Sequence, residues 1–119
     1  MIIIGHKEIE HESIVEIKSQ TDLERSASNS TVFFDYDLSL CKYASKNGIN
    51  FAVRVSSQKE VIFSSTFLAR YIVCEGDLAL DAQKFADDYV IDSKILKIIK
   101  SEEEIVDTAR DGIDGVWII

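Results

Sequence analysis

The chain has 119 residues, 46% hydrophobic and 29% charged with no proline, which suits one packed core, makes disorder not the default reading and excludes a Pro-rich segment. Its formal charge is −8, and the densest acidic stretch sets Glu75, Asp77, Asp81, Asp87, Asp88 and Asp92 against Lys84 alone. Such a surface repels phosphate backbones and anionic lipid, so neither nucleic acid nor a membrane is expected as a partner.

Ile2, Ile3 and Ile4 form an apolar run that Gly5, His6, Lys7 and Glu8 cut short of signal-peptide or transmembrane length, leaving at most one strand. His6 and His11 follow among Glu8, Glu10 and Glu12. Five residues apart, the histidines lie about 140° apart around a helix and on opposite faces of a strand, so an exposed polar segment is expected and not a metal site.

From there, apolar runs alternate with amphipathic stretches. Strands are expected near Ile14 to Ile17, Val32 to Phe34, Asn50 to Val55, Tyr71 to Cys74, Ile95 to Ile99 and Gly115 to Ile118, each short and continuous as in a parallel sheet buried on both faces. Between them, Leu40, Cys41 and Ala44 make a helical stripe that stops at Asn47-Gly48, a left-handed cap. Leu78, Ala82, Phe85 and Ala86 make another after Asp77. Ser57 and Ser101 each stand three residues before a glutamate, Glu60 and Glu104, as in a capping box, with Val61, Ile62, Ser65 and Leu68, and Ile105, Val106 and Ala109, as the buried stripes behind them.

These pieces repeat. Phe51 to Glu75 aligns without gaps on Ile95 to Ile119 at an offset of 101 − 57 = 44 residues, and a fainter copy begins at Ile14. Repeated strand–helix units imply right-handed crossovers and one α/β domain over residues 1–119. The expected form is a three-layer α/β/α sandwich on a mostly parallel open sheet of about six strands. The alternative is a half-barrel that completes itself by dimerising, which the Gly112 to Trp117 segment suggests, since a closed eight-stranded barrel takes about 250 residues. Trp117 is read as a core residue ahead of an interface anchor. Glu16, Arg54 and Lys97 are charges inside apolar strands, to be paired across strands, placed at an edge or turned to a cavity. Cys41 and Cys74, far apart in apolar surroundings, are expected as buried reduced thiols, which implies a cytoplasmic protein.

Ligands of open α/β sheets collect beyond the carboxyl ends of the strands. There the chain offers V-F-F-D-Y-D-L-S from Val32 to Ser39, Ser56-Ser57 after the next strand, Lys59, and G-D-L-A-L-D from Gly76 to Asp81. This order resembles the haloacid dehalogenase-type phosphatases and phosphotransferases. The resemblance implies Asp35 as nucleophile, Asp37 as general acid/base, Ser56, Ser57 and Lys59 as the phosphate grip, and Asp35 with Asp77 or Asp81 as ligands of Mg²⁺, the cofactor of that reading alone. It covers only Val32 to Asp81, and a helix begins where that family places a hairpin.

The same positions have a second meaning, because Asp37, Ser57 and Asp77 all stand where a helix N-cap is wanted. The primary expectation is therefore a non-catalytic domain that binds a protein partner or its own copy, with no cofactor evident. Phosphoryl transfer through Asp35 is the alternative, and phosphate binding at the helix N-termini after Ser57 or Ser101 a third.

Overall fold

The computed structural model describes residues 1–25 and 29–119. In chain order the elements are β1 (Ile2–Ile4), β2 (Ile14–Glu16), α1 (Gln20–Glu24), β3 (Thr31–Asp35), α2 (Leu38–Lys46), β4 (Phe51–Arg54), α3 (Gln58–Thr66), β5 (Tyr71–Cys74), α4 (Leu78–Tyr89), β6 (Lys94–Ile99), α5 (Glu104–Arg110) and β7 (Gly115–Ile118). The seven strands form a single parallel sheet in the order β1-β7-β6-β5-β4-β3-β2. The isoleucine run at the start is thus the seventh strand, and it pairs with the chain's last one.

From β2 to β7 each strand neighbours the next, so every crossover steps the same way. Right-handed crossovers then put every helix on one face of the sheet. The two cores record this. Residues of α1 to α4, among them Leu23, Leu40, Cys41, Ala44, Val61, Ala79, Ala82 and Ala86, pack with strand residues Val32, Phe34, Phe51, Val53, Ile72 and Ile95. The opposite face has a smaller core of Ile4, Ala52, Tyr71, Val73 and Leu96 with Phe33, Ile98 and Trp117 beside it, and among the described residues no helix contributes to it. Helices on one face leave no third layer, so of the two expected arrangements the half-barrel is the one formed.

Its curl is visible in one contact. Phe33 of β3 and Trp117 of β7 are four strands apart, about 19 Å in a flat sheet, yet their ring centroids lie 4.6 Å apart. Ala52, facing the same side between them, leaves room for the rings to approach. Trp117 is half-buried, the wall of a concave surface more than a core residue.

Because β1 and β2 are the two edges, residues 5 to 13 must cross from one edge of the half-barrel to the other. This strap leaves the carboxyl end of β1 at Gly5 (φ 93°), whose left-handed backbone packs directly on the Ile118 carbonyl. His6 then bonds Glu102 at 2.8 Å. At the other end the Glu12 carboxylate accepts from the Thr31 hydroxyl at the start of β3, from the Tyr71 hydroxyl at the start of β5, and from Arg70 Nε at 3.0 Å. His11 bonds the Glu12 carbonyl, so each histidine has a local partner within the strap or beside it.

Segments Phe51 to Glu75 and Ile95 to Ile119 both fold as strand, helix, strand, and β5 and β7 start and end at the same 44-residue offset. Their buried helix residues differ from the expected stripes. Leu68 and Val106 are exposed, α3 ends at Thr66, and the inward residues are Val61 with Ser64 in one copy and Thr108 in the other. Thr108 can turn inward because its hydroxyl bonds its own helix, Oγ1 donating to the Glu104 carbonyl at 2.8 Å. The Glu104 carboxylate accepts from the Lys100 and Ser101 N–H groups, but α5 begins three residues after Ser101 with no side-chain cap. Cys41 and Cys74 are free and buried, and burial pushes their thiols up to about 11 and about 12.

Candidate functional site

A parallel half-barrel gathers all its strand ends on one rim, and side chains alternating along each strand decide which of them face inward. Phe33 and Ala52 face the concave side, so Asp35 and Arg54, two residues on, do as well. Register places Asp35 directly beside Arg54, and Glu16 beside Phe33. The rim thus carries Glu16 from β2, Asp35 from β3, Arg54 from β4 and Glu75 just beyond β5.

Three clefts adjoin there. One of about 590 Å³ is lined by Asp35, Tyr36, Arg54, Val55, Ser56, Glu60, Glu75 and Leu78. A second, about 430 Å³, shares Asp35 and Tyr36 with it and adds Glu16 and Phe33. The third, about 420 Å³, is the hollow of the half-barrel under the strap, where Phe33, Val73, Ile98 and Trp117 make an apolar floor and Gly5, His11, Glu16 and Arg54 the margin. The three share lining residues and so adjoin as one depressed region of the rim, with sizes in the range of small-molecule sites.

Arg54 stands at its centre, lining both the first cleft and the hollow, and its guanidinium pairs with Glu75. Among the described residues no Lys or Arg lies within ion-pairing distance of Glu16 or Asp35, both exposed. The clefts of the rim are thus lined by five carboxylates, Glu16, Asp35, Asp37, Glu60 and Glu75, against two cations, Arg54 and Lys18. These carboxylates are spread around the depression: among the described residues, no three His, Cys, Asp or Glu side chains are gathered closely enough to hold a metal ion. Burial, followed by nearby acidic groups, raises the pKa of the Tyr36 phenol, which keeps it a neutral hydroxyl at the rim.

The residues named for phosphoryl transfer divide. Asp35 and Ser56 share the first cleft. Asp37 is the N-cap of α2, accepting from Leu40 N–H at 3.2 Å, and Ser57 the N-cap of α3, accepting from Glu60 N–H at 3.3 Å. Glu60 turns back to accept from the Ser56 N–H at 2.9 Å and the Ser56 hydroxyl at 3.2 Å. Lys59 lies over the Phe63 ring of its own helix, 5.6 Å from the centroid, and does not line the cleft. Asp77 occupies the N-cap position of α4 without a side-chain cap bond, and neither it nor Asp81 lines the cleft.

Arg54 and Glu16 were legible only as charges inside apolar strands. Their convergence with Phe33 and Trp117 has no local signal, since it depends on strand order and curl. The chain matches no protein-family model and no curated protein by sequence.

Proposed function

We propose that this protein is a non-catalytic binding domain that holds a small organic ligand in the depression at the carboxyl rim of its half-barrel. The observation that carries this reading is the pairing of an apolar aromatic floor, Phe33 and Trp117, with a charged margin built from the ends of four strands. Sites of this kind combine an apolar body with a few polar groups that orient the ligand. The strap supports it against closure with a second copy, because residues 5 to 13 already cross the open side. Both edge strands are also only three residues long, too short for stable pairing between molecules.

Trp117 is the single tryptophan and stands in the cleft wall, so its emission reports occupancy. A screen of small organic compounds read by that emission and by thermal shift is expected to yield binders whose amide-shift changes cluster at residues 16, 33, 35, 54 and 117. Binders that map elsewhere, or a stable dimer by light scattering that protects the rim, would favour self-association instead.

Phosphoryl transfer through Asp35 has one observation in its favour, the cleft that Asp35 shares with Ser56. Against it stand the capping duties of Asp37 and Ser57 and the displacement of Lys59, Asp77 and Asp81 from that cleft. Its test is turnover of a generic phosphate ester with and without Mg²⁺ by wild type and Asp35→Asn; a Mg²⁺-dependent rate lost in the variant would establish it. Phosphate binding at the α3 N-terminus has less support, since the chain's own Glu60 and Ser57 already fill that position.

A further inference from the structure

We infer that the ligand class of the rim depression is an organic cation, a protonated amine or guanidine carried on an apolar, preferably aromatic, body. The inference rests on the binding reading above and adds the sign and shape of the ligand.

Charge supplies the first argument. Glu16, Asp35 and Glu75 face Arg54 around the depression, and the Arg54–Glu75 pair is internally neutral. Glu16 and Asp35 lie on neighbouring strands and line one cleft together with Asp37 and a single cation, Lys18, so that cleft stays net negative. A net charge of −8 adds a field that draws cations toward the molecule and holds anions off.

Spacing supplies the second. Carboxylates meant for a metal ion converge to coordination distance, and those of the rim do not. Acids spread around a hollow fit a cation whose charge sits at one point of a larger molecule. The third argument is the floor. Beside Glu16 and Arg54 the hollow is lined by Phe33, Val73, Ile98 and Trp117. An aromatic wall is a favourable neighbour for an ammonium or guanidinium group, tryptophan most of all, and for the apolar body attached to it. An anionic ligand would have Arg54, already engaged by Glu75, and Lys18 at the second cleft, against the carboxylates of Glu16, Asp35, Asp37 and Glu60 that line the same depression. A neutral apolar ligand would gain nothing from the charges of Glu16 and Asp35.

Three probes of matched shape test this: 2-phenylethylamine, protonated at pH 7, the neutral 2-phenylethanol, and the anion 3-phenylpropanoate. Each is titrated to millimolar concentration into the full chain, with Trp117 emission and amide shifts as readouts, alongside the double variant Glu16→Gln, Asp35→Asn. Both positions are exposed, so the variant is expected to fold, which circular dichroism checks. The expected result is binding of the amine about tenfold or more tighter than the alcohol, with that preference lost in the variant, consistent with about 1.4 kcal/mol per tenfold step. Preferential binding of the alcohol or the carboxylate at the rim overturns the cation assignment and leaves the binding reading standing. So does an amine preference unchanged in the variant. No response at the rim to any of the three overturns the assignment, and if the wider screen is also silent there, the binding reading falls with it.

Discussion

Val90 ends α4 in a left-handed conformation, φ 51° and ψ 49°, where a β-branched side chain is strained and a glycine is not. It is also 85% exposed, so its side chain contributes little packing. Val90→Gly removes a strain of about 1–2 kcal/mol and adds about 0.5–1 kcal/mol of chain entropy to the unfolded state. A net gain of about 0.5 kcal/mol is expected, read as a higher urea midpoint at unchanged slope; a lower midpoint would show that the strain is not relieved. The caps argue in the opposite direction. Asp37 and Ser57 each satisfy a first-turn N–H, so Asp37→Ala or Ser57→Ala should cost about 1 kcal/mol in the same measurement.

The strap between β1 and β2 is the element that turns an open sheet into a hollow with a floor and a margin, and it is held at both ends. At its start, any side chain at Gly5 meets the Ile118 carbonyl in a left-handed backbone, so Gly5→Ala should lose about 1–3 kcal/mol and loosen β1 from β7. Hydrogen exchange at Ile2 to Ile4 would rise in that variant before exchange in β4 or β5. At its other end sits Glu12. Burial acts to raise its pKa, but hydrogen bonds from Thr31, Tyr71 and Arg70 together with the Arg70 charge outweigh it, and the net shift is below the ordinary 4.5. A carboxylate with a depressed folded-state pKa adds stability that is fully present above about pH 4.5 and disappears as pH falls through the folded value. Glu12→Gln should therefore be less stable than wild type at pH 7, and the gap should close on acidification below pH 4.5. A gap that persists unchanged at pH 2 to 3 would mean that Glu12 acts through packing and not through its charge.

For the molecule as a whole, all seven strands belong to one sheet and the larger core reaches from α1 to α4 under it, so the fold should open as a unit. The two cysteines report on this, because both side chains are inaccessible and burial holds both as thiols. At pH 8 a thiol reagent should label Cys41 and Cys74 at the same slow rate, set by global opening. Faster labelling of Cys41 alone would show that α2 opens independently of β5.

The alternation of apolar runs and caps was written locally, and so it was legible: seven strand segments, the Asn47-Gly48 stop and the Ser57–Glu60 box follow from side-chain size, backbone preference and hydrogen bonding within a few residues. Ser64 and Thr108 were missed as inward residues because hydrophobic periodicity does not register a small hydroxyl side chain turned to the core. Asp35 and Ser56 were legible as a pair at strand ends, since neighbouring parallel strands finish on the same side. The rest of the site was not. Whether helices cover one face or two depends on the order of strands, and that order is decided by which long-range pairings bury the most surface. The one-faced arrangement curls the sheet, brings Phe33 to Trp117 across three intervening strands, and sends residues 5 to 13 over the hollow so formed. The sequence by itself determined a domain of alternating strands and helices; only the tertiary structure decided that this domain has an inside.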